Sequence, residues 1–204
     1  MGLFDDLLRT AKREVNNAVN SAVNSAVNQP AEQKPAPQNN KSETLTFASV
    51  PSSLEEFKAL PESDLSTPFK TAALTVLALC IYPENRELAL SALQFISGPR
   101  EILPSEKQFI NDRFMDGKNY IPRSYFKGAV PENDYTPSQP FSITVSDNPY
   151  SYNNEGYAVL YLTSGGADNP RQVTLRHAKD GKWYLWEQML LSGIRQPESA
   201  NPWG

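Results

Sequence analysis

Apolar and polar positions follow three different rhythms along this chain, and their succession lays out the molecule. Over the first 28 residues a spacing of four links Leu3, Leu7, Ala11, Val15, Val19, Val23 and Val27. The later part is nearly repetitive: Asn17-Ala18-Val19-Asn20, Ser21-Ala22-Val23-Asn24, Ser25-Ala26-Val27-Asn28. Two apolar residues followed by two polar ones cannot form a strand, whose side chains alternate at every residue. On a helix the same spacing keeps neighbours on one face, drifting about 40° per step. The pattern therefore predicts an amphipathic helix over 1–28, weakened in its later half by Asn and Val. Residues 29–43 hold Pro30, Pro35 and Pro37 among Gln, Asn, Ala and Lys, a mixture that cannot bury a core and reads as a flexible linker.

The second rhythm is helical and starts in earnest at Ser53. Ser53-Leu54-Glu55-Glu56 is a capping box, predicting a short helix from Leu54 to about Leu60, where Pro61 stops it. Before it, Leu45 to Val50 reads as a short strand or a docking segment. From Ala72 to Tyr82 only Thr75 interrupts an apolar run. A helix apolar on every face must be covered on every side, so 68–82 is the expected centre of the core. It is too short for a membrane span, which needs about 20 apolar residues. Thr67 caps it, Pro68 suits its first position, and Pro83 with Asn85 ends it. A third helix runs from near Asn85 through Leu88, Leu93 and Ile96 to Gly98-Pro99. A fourth is predicted from a cap at Ser105-Glu106-Lys107-Gln108, through Phe109, Ile110 and Phe114, to Gly117.

Between 119 and 139 aromatics and prolines mix with charges and show no period, which predicts an ordered, irregular connection crossing the surface. The third rhythm follows, an alternation with period two. Its runs are Phe141–Val145, Tyr157–Leu162, Gln172–His177 and Trp183–Trp186. Gly165-Gly166 marks one loop, and Asp180-Gly181 is a hairpin signal. Gln188 to Leu191 either continues the last strand or bends onto the core, and Trp203 is the candidate anchor of a proline-containing arm. Helices followed by a meander define the expected fold class: α+β, a helical part packed on an antiparallel meander of about four strands, as a single domain over 44–204.

Composition changes this picture little and narrows the function. The net charge of -4, with no basic run, excludes a phosphate footprint, so no nucleic-acid partner is expected. One cysteine, Cys80, cannot form an internal disulfide, which fits a reducing compartment. The acidic, broken apolar stretch after Met1 is not a secretory signal, and a cytoplasmic location is expected. Three readings stay open for the first 28 residues, in this order: an extension without a further role, self-association through the stripe of Val15, Val19, Val23 and Val27, and shallow membrane contact by Leu3, Phe4, Leu7 and Leu8. Balanced charges argue against strong binding to anionic lipid.

Catalytic groups are scarce. Cys80 lies inside the apolar helix, where a thiolate is disfavoured. His177 is the single histidine, placed on a strand beside Arg176. One Cys and one His exclude the common zinc sets, and Asp112 with Asp116 falls short of a calcium loop, so no metal and no cofactor are expected. What remains is a set of aromatic and polar residues that could line a groove for a peptide or small acidic ligand: Arg113, Tyr120, Arg123, Tyr125, Asp134 and Tyr135, with Tyr150, Tyr152 and Tyr157. The competing reading has these rings covering the core, their hydroxyls satisfied by backbone.

Several phrases carry a resemblance: Ser53-Leu54-Glu55-Glu56-Phe57, Asp112-Arg113-Phe114-Met115-Asp116-Gly117-Lys118, Pro122-Arg123-Ser124-Tyr125-Phe126, Pro131-Glu132-Asn133-Asp134-Tyr135-Thr136-Pro137 and Lys182-Trp183-Tyr184-Leu185-Trp186-Glu187. From Ser53 to Trp203 the chain resembles an uncharacterised bacterial domain family of unknown function. The resemblance implies a bacterial origin and supplies no activity. Met1-Gly2-Leu3-Phe4-Asp5 is similar to the start of phage-shock-type membrane-surface proteins, and helices leading into Asp180-Gly181-Lys182-Trp183 resemble cystatin-like pocket proteins of the NTF-two type. The leading functional expectation is a non-enzymatic interaction or scaffold protein, its tail used for assembly or tethering to a protein partner. The alternative is a small-molecule pocket domain, with or without catalysis.

Overall fold

The computed structural model describes residues 40–202. The helix expected over 1–28, with Leu3, Phe4, Leu7, Leu8, Val15, Val19, Val23 and Val27, lies outside them, as do most of the linker and Trp203. The first strand, β1 (Ser42–Phe47), is followed by five helices: α1 (Leu54–Ala59), α2 (Pro68–Ile81), α3 (Arg86–Ser97), α4 (Pro104–Phe114) and the single turn α5 (Tyr120–Arg123). Four strands complete the domain: β2 (Phe141–Ser146), β3 (Tyr157–Leu162), β4 (Arg171–His177) and β5 (Trp183–Gln188). All five strands pair antiparallel in the order β1-β2-β3-β4-β5. The α+β class and the four-strand meander are as the pattern predicts, with a fifth strand added.

That fifth strand is β1, which crosses the whole helical part to pair with β2 from Ser42↔Ser146 to Phe47↔Phe141. Leu45 and Phe47 point into the core, while the hydroxyls of Thr44 and Thr144 meet on the outer face at 2.9 Å. The strand takes in Ser42 and Glu43, two residues of linker-like composition. The Lys41 amide extends the pairing by donating to Asp147 Oδ1 at 2.6 Å.

The α2 helix is covered all round, as an apolar run without a polar face requires. Residues from Phe69 to Leu79 are buried except Lys70, and the helix packs against α3 and across the sheet. Burying each leucine-sized side chain of this row contributes about 1.5–3 kcal/mol. Its two buried hydroxyls are satisfied, Thr71 donating to the Trp183 carbonyl at 2.6 Å and Thr75 to the Thr71 carbonyl at 2.8 Å. Thr67 accepts from the Lys70 amide, and Asn85 caps α3 through the Leu88 amide at 3.0 Å.

The start of α4 departs from the pattern. The helix begins at Pro104, so the residue before it, Leu103, takes the cap position and Ser105 lies inside the first turn. Proline at the first position has no amide to satisfy, and Glu106 reaches back to the Leu103 amide at 2.8 Å. After β5 the chain bends onto the core: Leu190 and Leu191 are buried, and Met189 is left 46% exposed. The 119–139 connection is ordered and irregular, but it does not simply cross the surface as expected: Ile121, Pro122, Tyr125, Phe126, Ala129, Pro131 and Tyr135 are buried, because their apolar bodies close the core. It packs tightly on the β3–β4 loop. The Gly165 amide donates to the Ser124 carbonyl at 2.8 Å, and a methyl group at Gly165 would strike the Ala129 carbonyl.

Candidate functional site

A cavity of about 330 Å³ opens between the end of α3, the start of α4 and the edge strand β5. Its apolar wall is Leu93, Ile102, Phe109, Ile110, Leu185 and Met189. Its polar wall is Ser97, Arg100, Ser105, Glu106, Glu187 and Gln188. Helical geometry explains much of this assembly. Leu93 and Ser97 are four apart on α3, and Glu106 precedes Phe109 and Ile110 by three and four on α4, so each set shares a face. On β5 a bulge sets Leu175 opposite Leu185 and Thr174 opposite Glu187, leaving Trp186 without a partner residue. Bulges re-aim the side chains around them.

The loop between α3 and α4 is held from α3 itself. Gly98 ends the helix with φ 61, a conformation that disfavours any side chain, and the Tyr184 ring occupies the space a methyl group would need. The Gln94 amide donates to the carbonyls of Gly98 at 3.3 Å and Arg100 at 2.9 Å, and accepts from the Ile102 amide at 3.1 Å. Fixed this way, Arg100 grips Glu106 with two parallel bonds of 2.8 and 3.0 Å. Its guanidinium also stands over the Trp186 ring, 5.5 Å from the centroid. Burial alone would raise the Glu106 carboxyl pKa, but the bonds from Arg100 and the Leu103 amide prevail and hold it below its ordinary value.

Two side-chain atoms of the lining residues lack a partner and are closed off from the cavity as well as from solvent: Ser97 Oγ and Arg100 Nε. Each terminal nitrogen of Arg100 spends one of its two N–H groups on Glu106 and keeps the other. No base is bonded to Ser97 Oγ. His177, the single histidine, stacks instead on Trp183 at 4.7 Å at the far end of β5. Burial pushes the Cys80 thiol up to about 12, with Arg123 pulling weakly the other way.

The residues singled out by composition lie elsewhere. Arg113 and Tyr120 share a smaller depression of about 270 Å³ with Asp112 and Lys118. Tyr120 stacks on the buried Tyr135, centroids 5.3 Å apart. Tyr135 donates to the Arg195 carbonyl at 2.7 Å and Tyr125 to the Leu190 carbonyl at 2.6 Å, so both hydroxyls clasp the C-terminal segment. Asp134 accepts from Ser199 at 2.6 Å, and Arg123 is exposed. Tyr150 is 72% exposed, and Tyr152 meets the Trp183 ring edge-on. Tyr157 lies on the sheet, its hydroxyl and ring engaged by Arg176. None of these lines the α3–α4–β5 cavity. Ser97 and Arg100 carry no signal of their own, since the chain near Gly98 reads as a helix stop, and Glu106 is legible only as part of a helix cap. The available signal was a serine on an apolar helical face, followed by an Arg and a Glu bracketing Pro104.

Among the described residues no group of three or more His, Cys, Asp or Glu side chains could hold a metal ion, and no helix is long and apolar enough to cross a membrane. Residues 49–198 match the model of a domain of unknown function, DUF6935, and the chain belongs to that family. The match spans about three-quarters of the chain and includes the whole cavity. No curated protein and no solved structure matches it.

Proposed function

We propose that this domain binds a small molecule, apolar along most of its length, in the cavity between α3, α4 and β5. Of the two functional expectations raised by the sequence, this is the pocket reading, moved from the aromatic connection to the sheet edge. One observation carries it: a cavity with a mostly apolar lining lies open at the sheet edge, with Arg100, Glu106 and Glu187 as its charged groups. The volume of about 330 Å³ sits at the lower end of the usual range for ligand pockets, about 300–1,000 Å³, and a mostly apolar lining with few polar groups is the usual composition. The role proposed is binding, since no group of the lining is bonded to the serine hydroxyl to activate it.

The test uses the full chain labelled at its methionine methyl groups, three in all. Met189 lines the cavity and the exposed Met115 does not. Titration with N-methylbenzamide should move the Met189 resonance saturably and leave Met115 in place. A Met189 signal that stays fixed, or moves no more than Met115, would sink the proposal.

A further inference from the structure

We infer that a second site, a groove between α1, α3 and β5, takes a small carboxylate with an apolar body. The groove has a volume of about 440 Å³ and shares no lining residue with the cavity described above, so it stands whether or not that cavity holds a ligand. Local geometry assembles its walls. Leu54 and Lys58 are four apart on α1, as Ser91 and Phe95 are on α3, so each pair shares a helix face. Lys182 and Tyr184 are two apart where the chain enters β5, which turns them to one side of the strand. The walls are tied to one another: the Trp183 amide donates to the Leu65 carbonyl at 2.9 Å, and the Tyr184 ring fills the space beside Gly98.

Charge names the ligand. The chain carries a net charge of -4, yet this groove is lined by two cations, Lys58 and Lys182, and by no carboxylate. Among the described residues neither lysine takes part in an ion pair. The Lys58 ammonium stands at the wall itself, over the Phe95 ring at 5.5 Å from its centroid, a contact that leaves its charge unneutralised. Asp180, two residues before Lys182, lies outside the lining and accepts from the Tyr184 hydroxyl at 2.7 Å and the Lys182 amide at 3.1 Å. A ligand carboxylate brings the missing charge and only accepts, so it pairs with an ammonium and adds no donor of its own to satisfy. A ligand amine would add a third cation. A bare inorganic anion would leave the apolar wall of Leu54 and Phe95 uncovered. Lys58 is exposed and Lys182 half-buried, so the attraction works at a solvated rim and is weakened by salt.

Benzoate, benzamide and inorganic phosphate, each titrated at neutral pH and low salt into the full chain, separate the possibilities. The backbone amide resonances of Leu54 and Lys182 report on the groove, and the Met189 methyl reports on the other cavity. Benzoate should move Leu54 and Lys182 saturably, with a dissociation constant at least about fivefold lower than that of benzamide or phosphate, and its lead over benzamide should shrink as salt is raised. Lys58→Gln and Lys182→Gln should each weaken benzoate about two- to fivefold and leave benzamide unchanged. Neither lysine holds an ion pair, so both variants should keep the wild-type urea midpoint. Benzamide or phosphate binding as tightly as benzoate would overturn the inference, as would variants that bind benzoate like the wild type. Benzoate that moves Met189 alone would also overturn it while leaving the other cavity's role standing, and benzoate that moves neither set of resonances would overturn it outright.

Discussion

Replacing Ser97 by alanine is expected to make this domain more stable, against the usual direction of a change in a buried position. Ser97 is 1% exposed, ends α3, and its Oγ has no hydrogen-bond partner. The folded state therefore carries the desolvation cost of that hydroxyl, about 1–3 kcal/mol, with no bond to offset it. Alanine removes the cost and gains a few tenths of a kcal/mol of helix propensity. Against this stands the small space left by one oxygen atom, beside a cavity that already exists. The net expectation is a gain of about 1–2 kcal/mol, or a rise in Tm of about 2–8 °C for a domain of this size. Urea unfolding followed by tryptophan fluorescence reads it directly, since Trp183 and Trp186 both lie on β5, and an unchanged m value confirms that only stability moved. Ser164→Ala is the matched control. Ser164 is 3% exposed, but it donates to Ser124 Oγ at 2.7 Å and accepts from the Gly166 amide at 3.0 Å. The same substitution there should cost about 1–2 kcal/mol. If Ser97→Ala destabilises the domain as much as Ser164→Ala does, the Ser97 hydroxyl is bonded in the folded state and the reasoning fails.

Three further outcomes follow from the packing around the site and its neighbours. Glu106 titrates below its ordinary value of 4.5, because the bonds from Arg100 and Leu103 outweigh burial. Its contribution is therefore full above pH 4.5 and is lost as pH falls through the folded-state value. Glu106→Gln should flatten the decline in urea stability between about pH 5 and 3 relative to wild type, and parallel declines would refute the assignment. Gly98→Ala should destabilise by about 3 kcal/mol, combining a positive φ with a clash against the Tyr184 ring, and Tyr184→Ala in the same chain should recover the clash and not the φ. A double variant no better than the single one would contradict that division. Tyr125→Phe leaves the Leu190 carbonyl unpaired and should cost about 1–3 kcal/mol, with faster amide exchange in 189–195; unchanged exchange there would show that the tyrosine does not hold this segment.

How far this molecule can be read from its sequence depends on whether each signal is local. The α2 helix is legible because eleven residues with one polar interruption admit a single environment, and the core is built around them. Strands β2 to β5 are legible because alternation and the Asp180-Gly181 turn are nearest-neighbour signals. The β1 strand is less so, since its partner β2 lies almost a hundred residues away and nothing local states the pairing. The aromatic connection attracts notice for a composition typical of binding surfaces. Yet the same rings are what a long irregular segment needs to close a core, and Tyr125 and Tyr135 are used that way.

The cavity fails to announce itself for a different reason: each of its polar residues has an ordinary role in sequence, and only their meeting is unusual. Arg100 and Glu106 are six apart across a proline, a spacing that means nothing until Gln94 fixes the loop and Pro104 sets the first turn of α4. Once fixed, the pair meets head-on, and the Leu103 amide takes a share of Glu106. What stays hidden in the sequence is therefore a wall assembled from three elements, in which apolar residues of α3, α4 and β5 meet around that pair.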